Sequence, residues 1–270
     1  MFFPFHDDNP TERTPVVTGA LIALNVLGFL WVQRLPPGDR QIVGYTRGFV
    51  PARIDTLAHP RPIKVVVQRQ IRHPVHGLKI LRREALVLQP VPRQVFASLL
   101  TCMFLHGGWM HLIGNMWFLW IFGNNVEDRL GMGAFIVLYL AGGLFASGCH
   151  WAFNPGSTTP VIGASGAVAA VLGAYAITWP WARVHTLVVL IVFFTIIDLP
   201  ALFVLGAWFV YQLFAAQQSL AQGAATNVAW WAHVGGFVAG LVLMPALSVF
   251  GHAATPRSHR QTEIYDDDPY

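Results

Sequence analysis

The sequence predicts an all-α polytopic membrane protein with six transmembrane helices, on three observations. Only 11% of its 270 residues are charged and 54% are apolar, whereas ordinary globular chains carry about 25% charged residues. Apolar runs recur that are long enough to cross roughly 30 Å of hydrocarbon. Ten Trp and nineteen Phe suit a chain that meets lipid and its interface.

Taken in order, residues 1–14 are polar and short, and are expected to be disordered. No basic segment leads into an apolar core there, so no cleavable signal is expected. The first transmembrane helix occupies 15–33, from Pro15 through an uncharged run to Val32. Residues 34–94 differ in kind, forming a basic extramembrane loop. Twelve of the seventeen Lys and Arg lie between Arg34 and Arg93, opposed by Asp39, Asp55 and Glu84. That charge suits a solvated surface near anionic lipid headgroups. No recognition motif accompanies it, so nucleic acid is not an expected partner. Within the loop, 59–92 reads as an insert in which Pro62–Ile71 and Leu78–Leu88 pair as strands around His73-Pro74-Val75-His76-Gly77.

Val95–Leu105 is apolar but too short to span. Span two runs from Met110 to Val126 and ends in Glu127-Asp128-Arg129. Span three is Ala134–Phe153, closed by the turn signal Asn154-Pro155-Gly156. Span four is Ile162–Trp179. Val184–Ile197 is apolar over only fourteen residues and is expected to be an interfacial or re-entrant piece. Span five runs from Ala201 to about Phe214, and span six from Trp230 to Val249. Residues 251–270 form a polar tail with an acidic end. Cys102 and Cys149 match no zinc spacing and read as buried apolar filler, with a disulfide left open.

Polar residues inside spans are costly and usually functional. Four of them share one depth. Ser165 opens span four within Gly163-Ala164-Ser165-Gly166. His233 lies just inside span six. His111 and Asn115 begin span two, one helical turn apart and so on one face. Alternating topology puts these three span entrances on the same side of the membrane. The chemistry this set suits is acyl transfer, with Ser165 as nucleophile and a neutral His233 as base. His111, Asn115 and the first-turn amides near Ser165 would serve as oxyanion donors. Small residues at four-residue spacing (Ser165, Ala169, Gly173; Gly236, Gly240) allow spans four and six to approach closely. The same stripe is also readable as packing alone. Glu127, Asp128 and Asp198 fall at the opposite face, so no carboxylate completes a triad. A metal site or transporter built on His106, His111, His150 and His233 is the weaker alternative. No HExxH occurs and no acidic residue joins these histidines at their depth.

Four motifs then fall into one order: His106-Gly-Gly-Trp-Met-His111-Leu-Ile-Gly-Asn115, Glu127-Asp-Arg129-Leu-Gly131, Gly163-Ala-Ser165-Gly166 and Ala232-His233-Val-Gly-Gly236-Phe-Val-Ala-Gly240. In this the chain resembles the rhomboid intramembrane serine proteases, over a core of residues 95–250. The resemblance implies a six-helix rhomboid-like bundle with Ser165 and His233 catalytic. It implies His111, Asn115 and the Ser165 amide as the oxyanion hole, without cofactor or metal. His106 and the Glu127/Arg129 pair look like the family's structural polar residues, and 95–109 like its membrane-embedded loop. Implied substrates are single-pass membrane proteins within the lipid bilayer. The implied setting is a bacterial cytoplasmic membrane with both termini cytoplasmic. This orientation runs against the basic 34–94 loop under the positive-inside rule, which is weak for loops near sixty residues. A non-catalytic relative that binds membrane helices and assists their turnover is the competing reading. One departure bears on the base: Ala169 stands where many members carry an aromatic against which the histidine packs. His233 is therefore expected to be held less firmly, or by another ring.

Overall fold

A computed structural model describes residues 2–72, 79–190, 193–221 and 228–250. The expected turn at 73–77 and the tail 251–270 lie outside the described residues. The chain runs β1 (Phe2–Asp7), α1 (Val16–Gln33), α2 (Pro37–Arg47), α3 (Ala52–Ala58), β2 (Ile63–Arg72), β3 (Lys79–Leu88), α4 (Pro92–Thr101), α5 (Trp109–Leu130), α6 (Met132–Phe153), α7 (Ser165–Thr178), β4 (Arg183–Leu190), β5 (Phe193–Pro200), α8 (Ala201–Ala221) and α9 (Trp230–Phe250). Helices dominate, as expected.

By length and composition, α1, α6, α8 and α9 can each cross a membrane. The segments Pro92–Phe104 and Trp109–Leu130 qualify together as a pair bent by 79°. The remaining expected span is α7, only 14 residues long or roughly 21 Å at 1.5 Å per residue. Its length need not match the bilayer, because Gly166 to Ala176 are all buried by protein. α5, α6, α8 and α9 pack around it, and the spans turn large apolar side chains outward, among them Leu27 on α1, Trp120 on α5, Phe145 on α6, Phe203 on α8 and Val242 on α9. An apolar outside around a small-residue centre is the arrangement lipid requires.

Two glycines shape the chain by conformation. Gly131, at φ 76°, ends α5 and sends the chain into α6. Gly163, at φ 131°, sits two residues before α7. A Cβ there would lie 2.7 Å from the His111 ring.

The described part of the 34–94 region forms two short helices, α2 and α3, and the antiparallel strand pair β2–β3. β2 pairs with β3 from Ile63↔Leu88 to Arg72↔Lys79, which matches the expected strands to within a residue at each end. Val50, Val65 and Leu88 form a small core of their own. The region is tied to the site by the bridge Phe49↔Val161, two residues before Gly163. Both cysteines are free thiols. Cys102 is buried, and the Cys149 side chain packs against Gly235 of α9.

Two expectations are overturned. The N-terminal residues are not disordered: β1 pairs antiparallel with β4. The main-chain amides of Glu12 and Arg13 donate to Asp128. Asp7 is buried and accepts from the Tyr175 hydroxyl and the Asn125 amide. Burial pushes its carboxyl above the usual range, with the Tyr175 donor pulling back. Such a segment is too short to hold a strand alone and forms because β4 and buried donors receive it. The second correction concerns the re-entrant alternative for 184–197: β4 and β5 pair there as antiparallel strands. Val184, Thr186 and Val188 are buried with a period of two, and β-branched residues suit a pleated, half-buried surface.

The resulting three-stranded sheet carries a pH-sensitive clasp. The His185 ring has Nδ1 2.6 Å from Asp198 and Nε2 2.7 Å from Asp8, and stacks on the His6 ring. The hydrogen bonds to Asp198 and then Asp8 raise its pKa above 6.5. A raised folded-state value means the stabilisation is complete below the unfolded value and is lost as pH rises through the folded one. The carboxylates are about half exposed, so the effect is about 1 kcal/mol or less. Amide exchange in β1, corrected for intrinsic base catalysis, is expected to quicken about 2- to 5-fold from pH 6 to pH 9. The His185→Ala variant should lose that pH dependence. Equal corrected protection at both pH values in the parent protein would contradict the clasp.

Candidate active site

The site is assembled by close packing of α7 against α9. A Cβ on Gly236 would run into the Gly166 carbonyl, one on Gly240 into the Ala170 carbonyl, and one on Gly173 into the Phe237 carbonyl. The two backbones therefore touch, and Ser165 on α7 meets His233 on α9. The Ser165 hydroxyl oxygen lies 2.8 Å from His233 Nε2.

His111 and Asn115 line the same cavity as Ser165 and His233, a space of about 510 Å³ that also reaches Trp208 and Gln212 of α8. Asn115 is buried and donates one amide N–H to the His111 carbonyl one turn back. A carboxamide has two N–H donors, so the second is left for a ligand. The first hydrogen bond of α7 runs from Val168 N to Ala164 O. The amides of Ser165, Gly166 and Ala167 therefore precede any intrahelical acceptor. Side-chain and main-chain donors thus border one space beside the hydroxyl.

The backbone before Ser165 is held from two sides. Gly163 N donates to the Cys102 carbonyl at 2.9 Å. Ala164 N donates to His106 Nε2 at 3.4 Å, and the buried His106 ring packs edge-on to His111. His106 therefore supports the serine loop. The Glu127 carboxylate accepts from Val17 N, Thr18 N and the Thr18 hydroxyl at 2.7–2.8 Å, capping the amides that open α1. Sixteen residues along α5, roughly 24 Å, separate it from His111. Asp198 is engaged by His185. His150 is half-buried and lines a second cavity of about 550 Å³ that adjoins the first at His111 and Ile162. Among the described residues, no group of three or more His, Cys, Asp or Glu is placed to hold a metal ion.

One residue at the site was not singled out from sequence. Gln212 on α8 is buried, and its Oε1 lies 2.8 Å from His233 Nδ1. The signal was present: a carboxamide inside the apolar run of span five. It falls near the end of that span, which alternation brings to the depth where spans four and six begin. Of the two alternatives that Ala169 leaves for His233, a looser hold or another ring, the structure offers rings. Trp208 and Trp230 each lie with ring centroids 6.1 Å from His233.

A family model described as the Rhomboid domain matches residues 93–250. The chain belongs to the rhomboid family. Its relatives include Rhomboid-like protein 11, chloroplastic, of Arabidopsis thaliana, 32% identical over 57% of this chain and 53% of that protein. Rhomboid protease GluP of Bacillus subtilis is 43% identical over 28% of this chain and 14% of its own length. Presenilin-associated rhomboid-like protein A, mitochondrial, of Danio rerio is 31% identical over 34% of this chain and 24% of that protein. The chain thus spans about half or less of the length of these curated relatives. Family and spans together make it a multi-pass membrane protein of the rhomboid type.

Proposed function

We propose that this rhomboid is an intramembrane serine endopeptidase that cleaves transmembrane or juxtamembrane segments of membrane proteins with a Ser165–His233 dyad. The observation that carries the reading is the 2.8 Å contact between the Ser165 hydroxyl and His233 Nε2, beside donors from α5 and α7 in a cavity within the helix bundle.

In this reading His233 Nε2 takes the hydroxyl proton as the Ser165 oxygen attacks a peptide carbonyl. The charge on the tetrahedral intermediate is met by Asn115, His111 and the Ser165 amide. Donors of this kind act strongly in a water-poor site and are worth about 3–4 kcal/mol each. The imidazolium then protonates the leaving amine. Water, entering through the adjoining cavity with Arg40, Ser157 and Thr159 on its wall, is deprotonated in turn and releases the acyl group. The substrates that fit are single-pass membrane proteins whose helix unwinds to present a carbonyl. Neither cofactor nor metal takes part.

We place the protein in a bacterial cytoplasmic membrane with its N-terminus inside. Arg129, Arg183 and the β1–β4–β5 sheet gather at the end of the bundle away from Ser165. The loop 154–160 at the Ser165 end carries no charge. Short loops of this kind are the ones the positive-inside rule counts.

A fluorophosphonate probe should label the purified protein in detergent, and Ser165→Ala should abolish labelling. Absence of label on folded parent protein would favour a non-catalytic relative that binds membrane helices. Label that survives Ser165→Ala would place the nucleophile elsewhere.

A further inference from the structure

The dyad has no carboxylate, yet its base is not left to itself. A neutral imidazole carries one N–H, on either nitrogen, and only the tautomer with the proton on Nδ1 leaves Nε2 free to accept from serine. We infer that Gln212 is the positioning residue of this site: its side-chain carbonyl accepts the Nδ1–H of His233 and so selects the tautomer in which Nε2 faces the Ser165 hydroxyl. The inference rests on the proposed dyad and deepens it.

Three observations carry it. Gln212 Oε1 lies 2.8 Å from Nδ1, while Nε2 lies 2.8 Å from the Ser165 hydroxyl, so both ring nitrogens are engaged at once. Gln212 is buried, at 5% exposure, on a helix whose buried residues are otherwise Ala201, Leu205 and Ala216. A carboxamide buried in an apolar helix is costly unless hydrogen-bonded, and the partner here is the base itself. Finally, Trp208 sits one turn before Gln212 on the same helix, and its ring lies 6.1 Å from the imidazole. Helix α8 thus supplies both a hydrogen-bond acceptor and a flanking ring, and Trp230 flanks the imidazole from α9 itself. The ring and the acceptor together do the holding that Ala169 on α7 cannot.

An amide oxygen fixes the proton without a full charge, and this separates Gln212 from the carboxylate of an ordinary triad. The other titratable side chains acting on His233 are His111 of α5 and His150 of α6. Among the described residues, no acid lies within hydrogen-bonding distance of the ring.

The test uses the full-length protein in detergent and compares Gln212→Leu, Gln212→Met and Gln212→Glu with the parent. Two readouts are taken: the rate of Ser165 labelling by a fluorophosphonate, and the pH profile of helical-reporter cleavage with kcat and KM separated. Gln212→Leu and Gln212→Met remove the acceptor. Both should lower labelling rate and kcat about 10- to 100-fold, with KM little changed. Gln212→Glu keeps an acceptor and adds charge that favours the imidazolium. It should restore labelling to within a few-fold of the parent and move the acid limb of the kcat profile to higher pH. A purely structural Gln212 would alter thermal stability in all three variants and leave the acid limb where it was, which overturns the inference. Unchanged labelling in Gln212→Leu with a labelled parent overturns it too and leaves the dyad standing. An unlabelled parent overturns the dyad itself, and this inference with it. Should Gln212→Leu fail to fold, Gln212→Glu still decides through its pH profile.

Discussion

Replacing His233 by alanine is expected to cut cleavage of a helical reporter substrate by about two to four orders of magnitude, the usual contribution of a positioned general base. The expectation follows from the geometry around the ring. Its Nε2 is the nitrogen shown in contact with the Ser165 hydroxyl. His106, the other histidine beside the serine loop, is occupied by the Ala164 amide. His111 packs against Gly163 on the α5 side. Among the described residues, no second base is in contact with the Ser165 hydroxyl. Labelling of Ser165 by a fluorophosphonate should fall in parallel, since it depends on the same deprotonation and not on substrate binding. Purified, folded His233→Ala protein that cleaves as fast as the parent would rule out the dyad.

The second large effect is expected from packing, well away from the reacting atoms. Gly240 lies two turns along α9 from His233, and a Cβ there would collide with the carbonyl of Ala170 and crowd the amide of Ala174. Those atoms are helix backbone and cannot rotate aside as a side chain can. Overpacking a tight core costs about 1–3 kcal/mol, occasionally more, and Gly240→Leu should fall at the upper end. At roughly 2–4 °C per kcal/mol for a chain of this size, a fall in melting temperature of about 6–12 °C is expected, read by tryptophan fluorescence in detergent. Activity should fall as well, because separating α7 from α9 stretches the Ser165–His233 contact beyond hydrogen-bond range. Gly206→Ala is the control, since nothing lies within 4 Å of a Cβ at Gly206 on α8. Its stability should stay within about 1 kcal/mol of the parent. A Gly240→Leu protein as stable as the parent would show that the α7–α9 contact does not set the geometry of the site.

These two expectations differ in how far they were readable beforehand. Ser165, His233, His111 and Asn115 stand out in sequence because a polar side chain in an apolar span is rare and costly. Their common depth follows from counting spans. The small residues of α7 and α9 stand out because their spacing repeats every turn. Gln212 carries the same signal, but it lies away from the entrances of spans two, four and six. Span five reaches that depth with its far end. Over 184–197, alternation and β-branching, not mean apolarity, separate a strand from a re-entrant membrane segment.

The N-terminal strand was not legible in the same sense. Phe2–Asp7 is short, contains Pro4 and ends in a charge, and read alone it favours no structure. It becomes a strand because β4, almost two hundred residues later, offers an open edge. Tyr175 and Asn125 also offer donors that make burial of Asp7 tolerable.

The amino-acid sequence by itself determined the class of molecule, the membrane runs and four polar residues at one depth, because hydropathy and helical periodicity are local properties of the chain. Tertiary structure alone decided that Ser165 and His233 meet at 2.8 Å and that Gln212 engages the far nitrogen of the His233 ring. Those facts depend on how closely α7 and α9 approach and on the rotation of α8 about its axis. Both are set by contacts between segments tens to more than a hundred residues apart, which no local pattern encodes.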